Sequence, residues 1–274
     1  MNILLVTPIY SAHYDAGWFW LRAFQKLGHT VTIWDYRLDS KPPPIIHYPD
    51  LVLVLKGESI DPRRLPSPRF CYWPDAFERD PGVEERLRGY DKVFTSNRPT
   101  PEWMIWLPAG WDPVIHRNLE LEREVSSVYV GTANSEYKIK MISEIRPNHI
   151  RGNGWKGDIS GPAIYLHELV SYLNQMRVLI DVHQSPRVGL NRKLFEMIAC
   201  GFTLVDRVPG VEEILGLRLT DQVSFRTPER ARELIQYFLY HPSSGREDLW
   251  RREREQIRGY TYESAVEAIL DLVK

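Results

Sequence analysis

Short apolar runs alternate with longer segments of helical periodicity over the first part of the chain. Runs rich in branched and aromatic residues predict buried strands, which we place at 2–7, 30–34, 50–55, 70–73, 92–95 and 106–108. After the first strand, a long turn leads into a helix that Gly28 ends. Short strands separated by helical or loop segments indicate an open parallel sheet.

A second series of the same kind follows a break in the pattern. Residues 112–124 carry prolines and a run of charged residues, so we interpret them as the linker between two domains. Beyond the linker we predict strands at 127–130, 149–151, 177–182 and 202–205, and helices at 136–145, 163–175, 227–240, 247–259 and 262–273. The predicted class is α/β, with doubly wound domains over 1–118 and 119–259 and a terminal helix over 260–274, which we expect to cross back to the first domain.

The segment 189–201, GLNRKLFEMIACG, connects two of these strands through a turn and a short helix. Its apolar residues recur at helical spacing, Asn191 is placed to cap the helix, and Gly201 is expected to end it in the left-handed conformation. The segment therefore predicts a strand–helix–strand unit.

Two cations in this helix are unusual in position. Arg192 and Lys193 fall in the first turn, where the helix dipole disfavours a cation by about 0.3–1 kcal/mol. A bound anion would remove the conflict, and backbone N–H groups at 189–193 would make a site the size of a diphosphate. The alternative is an ordinary pairing of Glu196 with Arg192 or Lys193 on the helix surface.

Composition limits the classes of function. The 274 residues include 35 basic and 36 acidic side chains, so overall charge gives no reason to bind nucleic acid or a membrane surface. Cys71 and Cys200 lie in apolar contexts and are interpreted as reduced core thiols, which indicates a reducing compartment and a cytoplasmic location. We predict neither a signal peptide nor a membrane span.

The sequence 152–157, GNGWKG, matches the letters of a dinucleotide-binding motif but no helix follows it. We interpret it as a tight turn, in which Trp155 either flanks a ligand or packs against the protein. No phosphate-binding Walker loop, paired D-x-D acids or spaced histidine ligands are present, so we expect no metal centre and no cofactor.

Candidate bases lie in the first predicted domain. His13, Asp15 and Gly17 follow the first strand, and Asp75 follows another strand of the same sheet. The carboxyl ends of parallel strands are where open α/β sheets bind ligands, which favours a catalytic role. Asp15 as a helix cap and Asp75 as a turn residue are the plainer alternatives.

These motifs, taken in order along the chain, resemble those of the GT-B glycosyltransferases, and in particular those of the CgeB-like (spore-maturation) group. The similar segments are 106–108 (WLP), 112–113 (DP), 128–132 (VYVGT), 152–155 (GNGW), 191–196 (NRKLFE), 199–201 (ACG) and 260–262 (YTY). The resemblance implies two Rossmann-like domains that face an interdomain cleft.

The resemblance also implies roles for individual residues. Glu196 should hydrogen-bond the ribose of a nucleotide sugar, and the turn with Arg192 and Lys193 should hold its diphosphate. Many retaining relatives carry a glutamate where this chain has Val188. The full set of donor-binding residues that we predict is Gly17, Gly131, Thr132, Gly154, Trp155, His183, Gly189, Leu190, Asn191, Arg192, Lys193 and Glu196.

The predicted function is metal-independent transfer of a sugar from a nucleotide sugar, expected to be UDP-linked, to an acceptor hydroxyl. The acceptor is left open between a sugar, a peptide, a small molecule and a hydroxymethylated DNA base. For an inverting reaction His13, Asp15 or Asp75 would be the base. The alternative from another class is a non-catalytic protein that binds nucleotide sugars or a partner, which Val188 favours.

Overall fold

A computed structural model describes residues 1–9, 16–43, 48–75, 80, 82–108, 110–187, 189–241 and 243–273. The strands are β1 Asn2–Val6, β2 Thr30–Trp34, β3 Leu51–Leu55, β4 Arg69–Trp73, β5 Lys92–Thr95, β6 Ile105–Trp106, β7 Glu124–Val130, β8 His149–Arg151, β9 Ser160–Gly161, β10 Met176–Asp181, β11 Thr203–Asp206 and β12 Ser224–Phe225. The α-helices are α1 Gly17–Lys26, α2 Val83–Leu87, α3 Glu136–Ile145, α4 Leu166–Gln175, α5 Arg192–Cys200, α6 Val211–Leu215, α7 Leu217–Val223, α8 Pro228–Tyr240, α9 Ser243–Ile257 and α10 Tyr262–Leu270.

The chain divides into two compact units, Met1–Ala109 with Tyr262–Lys274, and Gly110–Thr261. The boundaries that we expected were 118/119 and 259/260. Residues after 110 belong with the second unit because their backbone is bonded to it. The Leu119 N–H donates to Oδ1 of Asn174 at 2.8 Å, and Nδ2 of Asn174 donates to the Arg117 carbonyl at 2.9 Å.

The first unit contains a parallel sheet in the order β2-β1-β3-β4-β5-β6. Strand β3 is buried along its whole length, as expected of an apolar run in the middle of such a sheet. Helix α10 packs on α1, where the ring of Tyr262 stacks on Phe19 at a centroid distance of 5.2 Å. The C-terminal helix therefore belongs to the core of the first unit.

The second unit contains a parallel sheet in the order β12-β11-β10-β7-β8-β9. Its strands β7, β8, β10 and β11 fall where apolar runs predicted them, while β9 and β12 are two-residue strands that no pattern indicated. The predicted α/β class with two doubly wound sheets is confirmed.

Helix α5 has the predicted start but a different end. Gly201 has φ −173° and ψ 172°, which is extended backbone, so the left-handed ending that we predicted is wrong. Glycine leaves space there, because a Cβ would lie 2.8 Å from a guanidinium nitrogen of Arg123 and 3.1 Å from a methyl group of Leu179, and those side chains would have to shift. Cys71 and Cys200 are buried free thiols, as predicted. None of the described helices has the length and apolarity to cross a membrane.

Candidate functional site

The carboxyl ends of β7 and β10 mark the point in the second sheet where the strand order reverses. From β7 the chain continues to β8 and β9 on one side, and then to β10, β11 and β12 on the other side. Open parallel sheets bind ligands outside the carboxyl ends of their strands at such a point. The residues that follow these strands, and the start of α5, are therefore the candidate site.

Helix α5 begins at this edge with a side-chain cap and two cations. Oδ1 of Asn191 accepts a hydrogen bond from the Leu194 N–H at 3.3 Å, so the predicted cap is confirmed. The first turn carries Arg192 and Lys193 and has no acidic residue. Because first-turn amides lack intrahelical acceptors and carry the positive end of the dipole, this turn favours an anion.

The ammonium of Lys193 is directed at the ends of two strands. Its Nζ donates to the Val130 carbonyl at 2.7 Å and lies 3.2 Å from Oδ1 of Asp181. It also lies 4.4 Å from the ring centroid of Tyr129, a cation–π distance. A direct contact between Lys193 and an anion stays a prediction, because the contacts of its ammonium are to the protein itself.

Glu196 lies one turn further along α5 and is 4% exposed. Its Oε1 is 3.7 Å from a guanidinium nitrogen of Arg192, so the helix-surface pairing that we considered exists at ion-pair distance. The same oxygen is 4.0 Å from Nε2 of His116. Within the described part of the chain, this buried Oε1 has no hydrogen-bond partner. It is therefore an acceptor that a ligand hydroxyl could satisfy.

His116 has a defined tautomer beside this carboxylate. Its Nδ1 accepts a hydrogen bond from the Asp112 N–H at 3.1 Å, so the proton of the neutral ring is on Nε2, the nitrogen nearer Glu196. Burial lowers the pKa of His116 against the opposing effect of Glu196. The ring therefore places a neutral N–H group, and no second charge, near the glutamate.

Three buried titratable side chains lie at or just after the ends of β10 and β11. Asp181 and Asp206 end these strands, and His183 comes two residues after Asp181. Nε2 of His183 lies 3.4 Å from Oδ2 of Asp181, and the His183 backbone N–H donates to Oδ2 of Asp206 at 3.4 Å. The hydroxyl of Tyr137 bonds both carboxylate oxygens of Asp206 at 3.0 Å. The three residues thus form one connected cluster, in which the backbone of His183 makes the link to Asp206.

Burial and neighbouring charges separate the pKa values in this cluster. Burial raises the pKa of Asp206 to about 7, although hydrogen bonds from Tyr137 and the His183 amide oppose the change. Burial also lowers the pKa of His183 to about 4. For Asp181 burial acts to raise the pKa, but His183, Lys193 and a hydrogen bond from Asn191 outweigh it and hold the pKa below its usual range. At neutral pH an ionised Asp181 therefore lies beside a neutral imidazole.

Two glycine turns pack against each other at the ends of β7 and β8. Gly131 has φ +154°, and a Cβ there would lie 2.5 Å from the Tyr129 hydroxyl and 3.1 Å from Nζ of Lys193. A Cβ on Gly152 would lie 2.1 Å from the Gly131 carbonyl oxygen. Nε1 of Trp155 donates to that same oxygen at 2.5 Å. Only glycine allows the two backbones to approach this closely.

A protein-family model matches the C-terminal part of the chain. Residues 136–271 match a family model described as glycosyl transferase-like. This part of the chain, just under half of its length, is therefore similar to glycosyltransferase domains. The prediction of a glycosyltransferase is thereby confirmed, whereas the finer assignment to the CgeB-like group stays a prediction. No curated protein matches the chain in sequence.

Solved glycosyltransferase structures share the fold of the whole chain. The DNA-modifying enzyme β-glucosyltransferase, solved with and without uridine diphosphoglucose, has a TM-score of 0.68 at 10% identity, over 100% of both chains. T4 phage BGT in complex with UDP and Mn²⁺ has a TM-score of 0.64 at 11% identity, again over 100% of both. An E. coli structure of the trehalose-6-phosphate protein bound with UDP-2-fluoro glucose has a TM-score of 0.67 at 10% identity, over 100% of this chain and 99% of that one. The GT-B fold predicted from the sequence is confirmed.

In the second unit, the predicted donor-binding residues follow the carboxyl ends of β7, β8 and β10 or lie at the start of α5. Trp155 and Lys193 both lie against the Gly131 turn: the indole N–H donates to the Gly131 carbonyl, and Nζ of Lys193 would lie 3.1 Å from a Cβ at position 131. The side chain of Leu190 is fully buried, so only its backbone is available to a ligand. Val188 lies outside the described residues.

The predicted residues of the first unit are described separately. A Cβ on Gly17 would lie 2.7 Å from a methyl group of Thr7, so this glycine allows α1 to pack on the end of β1. Oδ2 of Asp75 is paired with Nζ of Lys56 at 2.9 Å, and the Asp75 carbonyl accepts from Nδ2 of Asn97 at 2.7 Å. His13 and Asp15 lie outside the described residues, so their role as bases stays a prediction.

Sequence reasoning missed four residues of the site, namely His116, Tyr129, Asp181 and Asp206. Two of them had a usable signal, because an acid at the end of an apolar strand run marks the carboxyl edge of a parallel sheet. Asp181 and Asp206 each end such a run. His116 and Tyr129 have no comparable local pattern, since their positions depend on packing between distant segments.

Proposed function

We propose that the protein transfers a sugar from a UDP-linked donor to an acceptor hydroxyl without a divalent metal. The observation that carries the proposal is the buried, unpartnered Oε1 of Glu196 on a helix whose first turn favours an anion. A nucleotide sugar supplies both groups at once, with a ribose hydroxyl as donor and a diphosphate as anion. The UDP and UDP-sugar complexes of structures with the same fold support this choice of ligand.

The proposed diphosphate site is the first turn of α5 with the Gly131 turn beside it. Arg192 supplies charge at a side chain that is 32% exposed, and the first-turn amides supply donors. As the bond from the anomeric carbon to the phosphate oxygen breaks, negative charge grows on the leaving UDP. Fixed donors and a cation stabilise that charge in the transition state, which is the role a metal ion has in other transferases.

In the proposed reaction the acceptor oxygen forms a bond to the anomeric carbon, UDP leaves, and the hydroxyl proton passes to a base. We propose the base from among His13, Asp15 and Asp75, since a hydroxyl without a base is a poor nucleophile. Asp75 is held by Lys56 at 2.9 Å, which fixes its carboxylate in place. The proposed acceptor class is a hydroxyl compound, whether a sugar, a peptide, a small molecule or a hydroxymethylated DNA base.

The proposal is tested by measuring UDP release from UDP-glucose in EDTA and, separately, with added Mn²⁺. We expect slow release without acceptor in both conditions, and faster release when the correct acceptor is present. Release that occurs only with the metal would overturn metal independence. Binding of UDP-glucose with no release under any condition would favour the non-catalytic alternative.

The role of Glu196 is tested by Glu196→Gln with titration calorimetry of UDP and inorganic pyrophosphate. Loss of a charged acceptor should weaken UDP by about 1.5–3 kcal/mol, while pyrophosphate, which has no ribose, should bind as before. Glu233→Gln is the matched control, because Glu233 is exposed on α8 and outside the proposed site. Equal affinities of UDP for wild type and Glu196→Gln would remove Glu196 from the donor site.

A further inference from the structure

Three consecutive backbone carbonyls at the end of β7 each accept a hydrogen bond from a side chain. The contacts are Lys193 Nζ to Val130 O at 2.7 Å, Trp155 Nε1 to Gly131 O at 2.5 Å and Lys138 Nζ to Thr132 O at 3.3 Å. Side-chain bonds to every carbonyl of a turn fix the orientation of its peptide planes. The conformation of this turn is thus set by residues from three separate segments.

The N–H groups of the same turn show which way each peptide faces. The Gly131 N–H donates to the Arg151 carbonyl at 2.8 Å, and the Ala133 N–H donates to the Asn153 carbonyl at 2.9 Å. Both therefore point to the side of β8. In an extended chain, successive N–H groups point to opposite sides. The Thr132 N–H lies between those of Gly131 and Ala133, so it points to the other side, away from β8. That side is the side of β10 and the start of α5.

The Thr132 N–H has no acceptor among the residues that the structure describes. Its peptide is the one whose carbonyl, that of Gly131, is held by Trp155. Because a trans peptide directs its C=O and N–H in opposite directions, the indole bond aims this amide away from β8. A glycine at 131 would otherwise leave the peptide free to rotate. The contact with Trp155 removes that freedom.

We propose that the Thr132 N–H binds a phosphate oxygen of the nucleotide sugar, and that Trp155 is the positioning residue that orients it. The inference rests on the proposed function, since it assumes a diphosphate at the Gly131 turn and the start of α5. Trp155 then acts through the Gly131 carbonyl and touches no part of the donor. This differs from a tryptophan that flanks the nucleotide base.

The packing of Trp155 supports a positioning role. Its ring meets the ring of Tyr129 edge to face, with centroids 5.5 Å apart, so its orientation is fixed by a buried neighbour. A Cβ on Gly154 would lie 3.3 Å from Cβ of Ala133, which keeps the segment before Trp155 against the Gly131 turn. The indole of Trp155 is thus held against the Gly131 turn, whose Thr132 amide it orients.

The test is Trp155→Phe, which keeps an aromatic ring and removes the indole N–H. Titration calorimetry with UDP and with uridine, which lacks phosphate, should show UDP weakened about tenfold and uridine changed less than twofold. Trp250→Phe is the matched control, because Nε1 of Trp250 also donates to a backbone carbonyl, that of Ile198, at 2.7 Å. It should leave both affinities unchanged. Unchanged UDP binding by Trp155→Phe, or equal weakening of both ligands, would overturn the inference.

A second measurement uses the unmodified protein and does not depend on the variant folding. In an amide NMR spectrum of 15N-labelled protein, the Thr132 signal should move downfield on addition of UDP and stay in place on addition of uridine. A wild type that binds no UDP would overturn the proposed function and this inference with it. UDP binding that leaves the Thr132 amide unmoved would overturn this inference alone.

Discussion

Replacing Asp206 by asparagine should change how the stability of the protein depends on pH. Burial raises the pKa of this carboxyl group from 3.8 to about 7. A carboxyl group with a raised folded-state pKa holds its proton more tightly when folded. The stability that it confers is complete below about pH 4 and is lost as pH rises to about 7. Asparagine is neutral throughout this range, so Asp206→Asn should not show the loss.

The size of the effect follows from the two pKa values. A difference between 3.8 and about 7 corresponds to about 4 kcal/mol, at about 1.4 kcal/mol for each pH unit. His183 acts in the opposite sense, since its pKa of about 4 makes the folded state lose stability as pH falls below 6.5. The two residues largely cancel in the wild type between about pH 4 and pH 6.5. Removing Asp206 should expose the contribution of His183.

The assay is differential scanning calorimetry of wild type and Asp206→Asn from pH 4 to pH 8. Relative to wild type, the variant should gain about 4 kcal/mol over this range, or roughly 10 °C in Tm for a domain of this size. Losing one of the two contacts with the Tyr137 hydroxyl lowers the stability of the variant by the same amount at every pH, so it does not alter how the difference from wild type changes with pH. Asp248→Asn, at an exposed position on α9, should show a much smaller change. A Tm difference between wild type and Asp206→Asn that stays constant with pH would refute the reasoning.

Two further predictions concern packing, and calorimetry checks both. Gly110→Ala should destabilise the second unit by about 1–3 kcal/mol or more, because its Cβ would lie 1.8 Å from a backbone oxygen; Gly245→Ala, with nothing within 4 Å, should be neutral or slightly stabilising, and equal effects would contradict this account. Tyr262→Ala should cost the first unit about 3–5 kcal/mol, because the buried ring stacks on Phe19, and Leu272→Ala, at a residue 44% exposed, is its control. A transition of the first unit that is unchanged in Tyr262→Ala would show that α10 is dispensable there.

Local signals in the sequence were sufficient to predict most elements of the fold. Strands β2 and β5 and helix α3 have the predicted bounds, because apolar runs and a cap at Ser135 are encoded in neighbouring residues. The end of α5 was predicted wrongly for a reason that is not local. Gly201 lies against Arg123, which is distant in sequence, and no feature of the helix itself indicates that contact.

The candidate site was predictable at the level of segments and less so at the level of side chains. The cap by Asn191 and the cations that follow it are readable along the chain, because both depend on spacing within one helix turn. The direction of Lys193 was not readable, since it depends on Val130 and Asp181, which two other strands supply. Residues four apart lie on the same face of a helix. Because Met197 is apolar, the sequence indicates that position 193 faces inward.

The two interpretations of the α5 cations are compatible in the folded protein. Arg192 lies within ion-pair distance of Glu196, yet at 3.7 Å the contact is too long to be a hydrogen bond. The carboxylate oxygen therefore gains charge compensation while keeping its capacity to accept a hydrogen bond. Leaving a buried acceptor unsatisfied costs about 1–3 kcal/mol, a cost that a ligand hydroxyl would remove. In the proposed function, the ribose hydroxyl of the donor satisfies this oxygen while Arg192 stays at ion-pair distance.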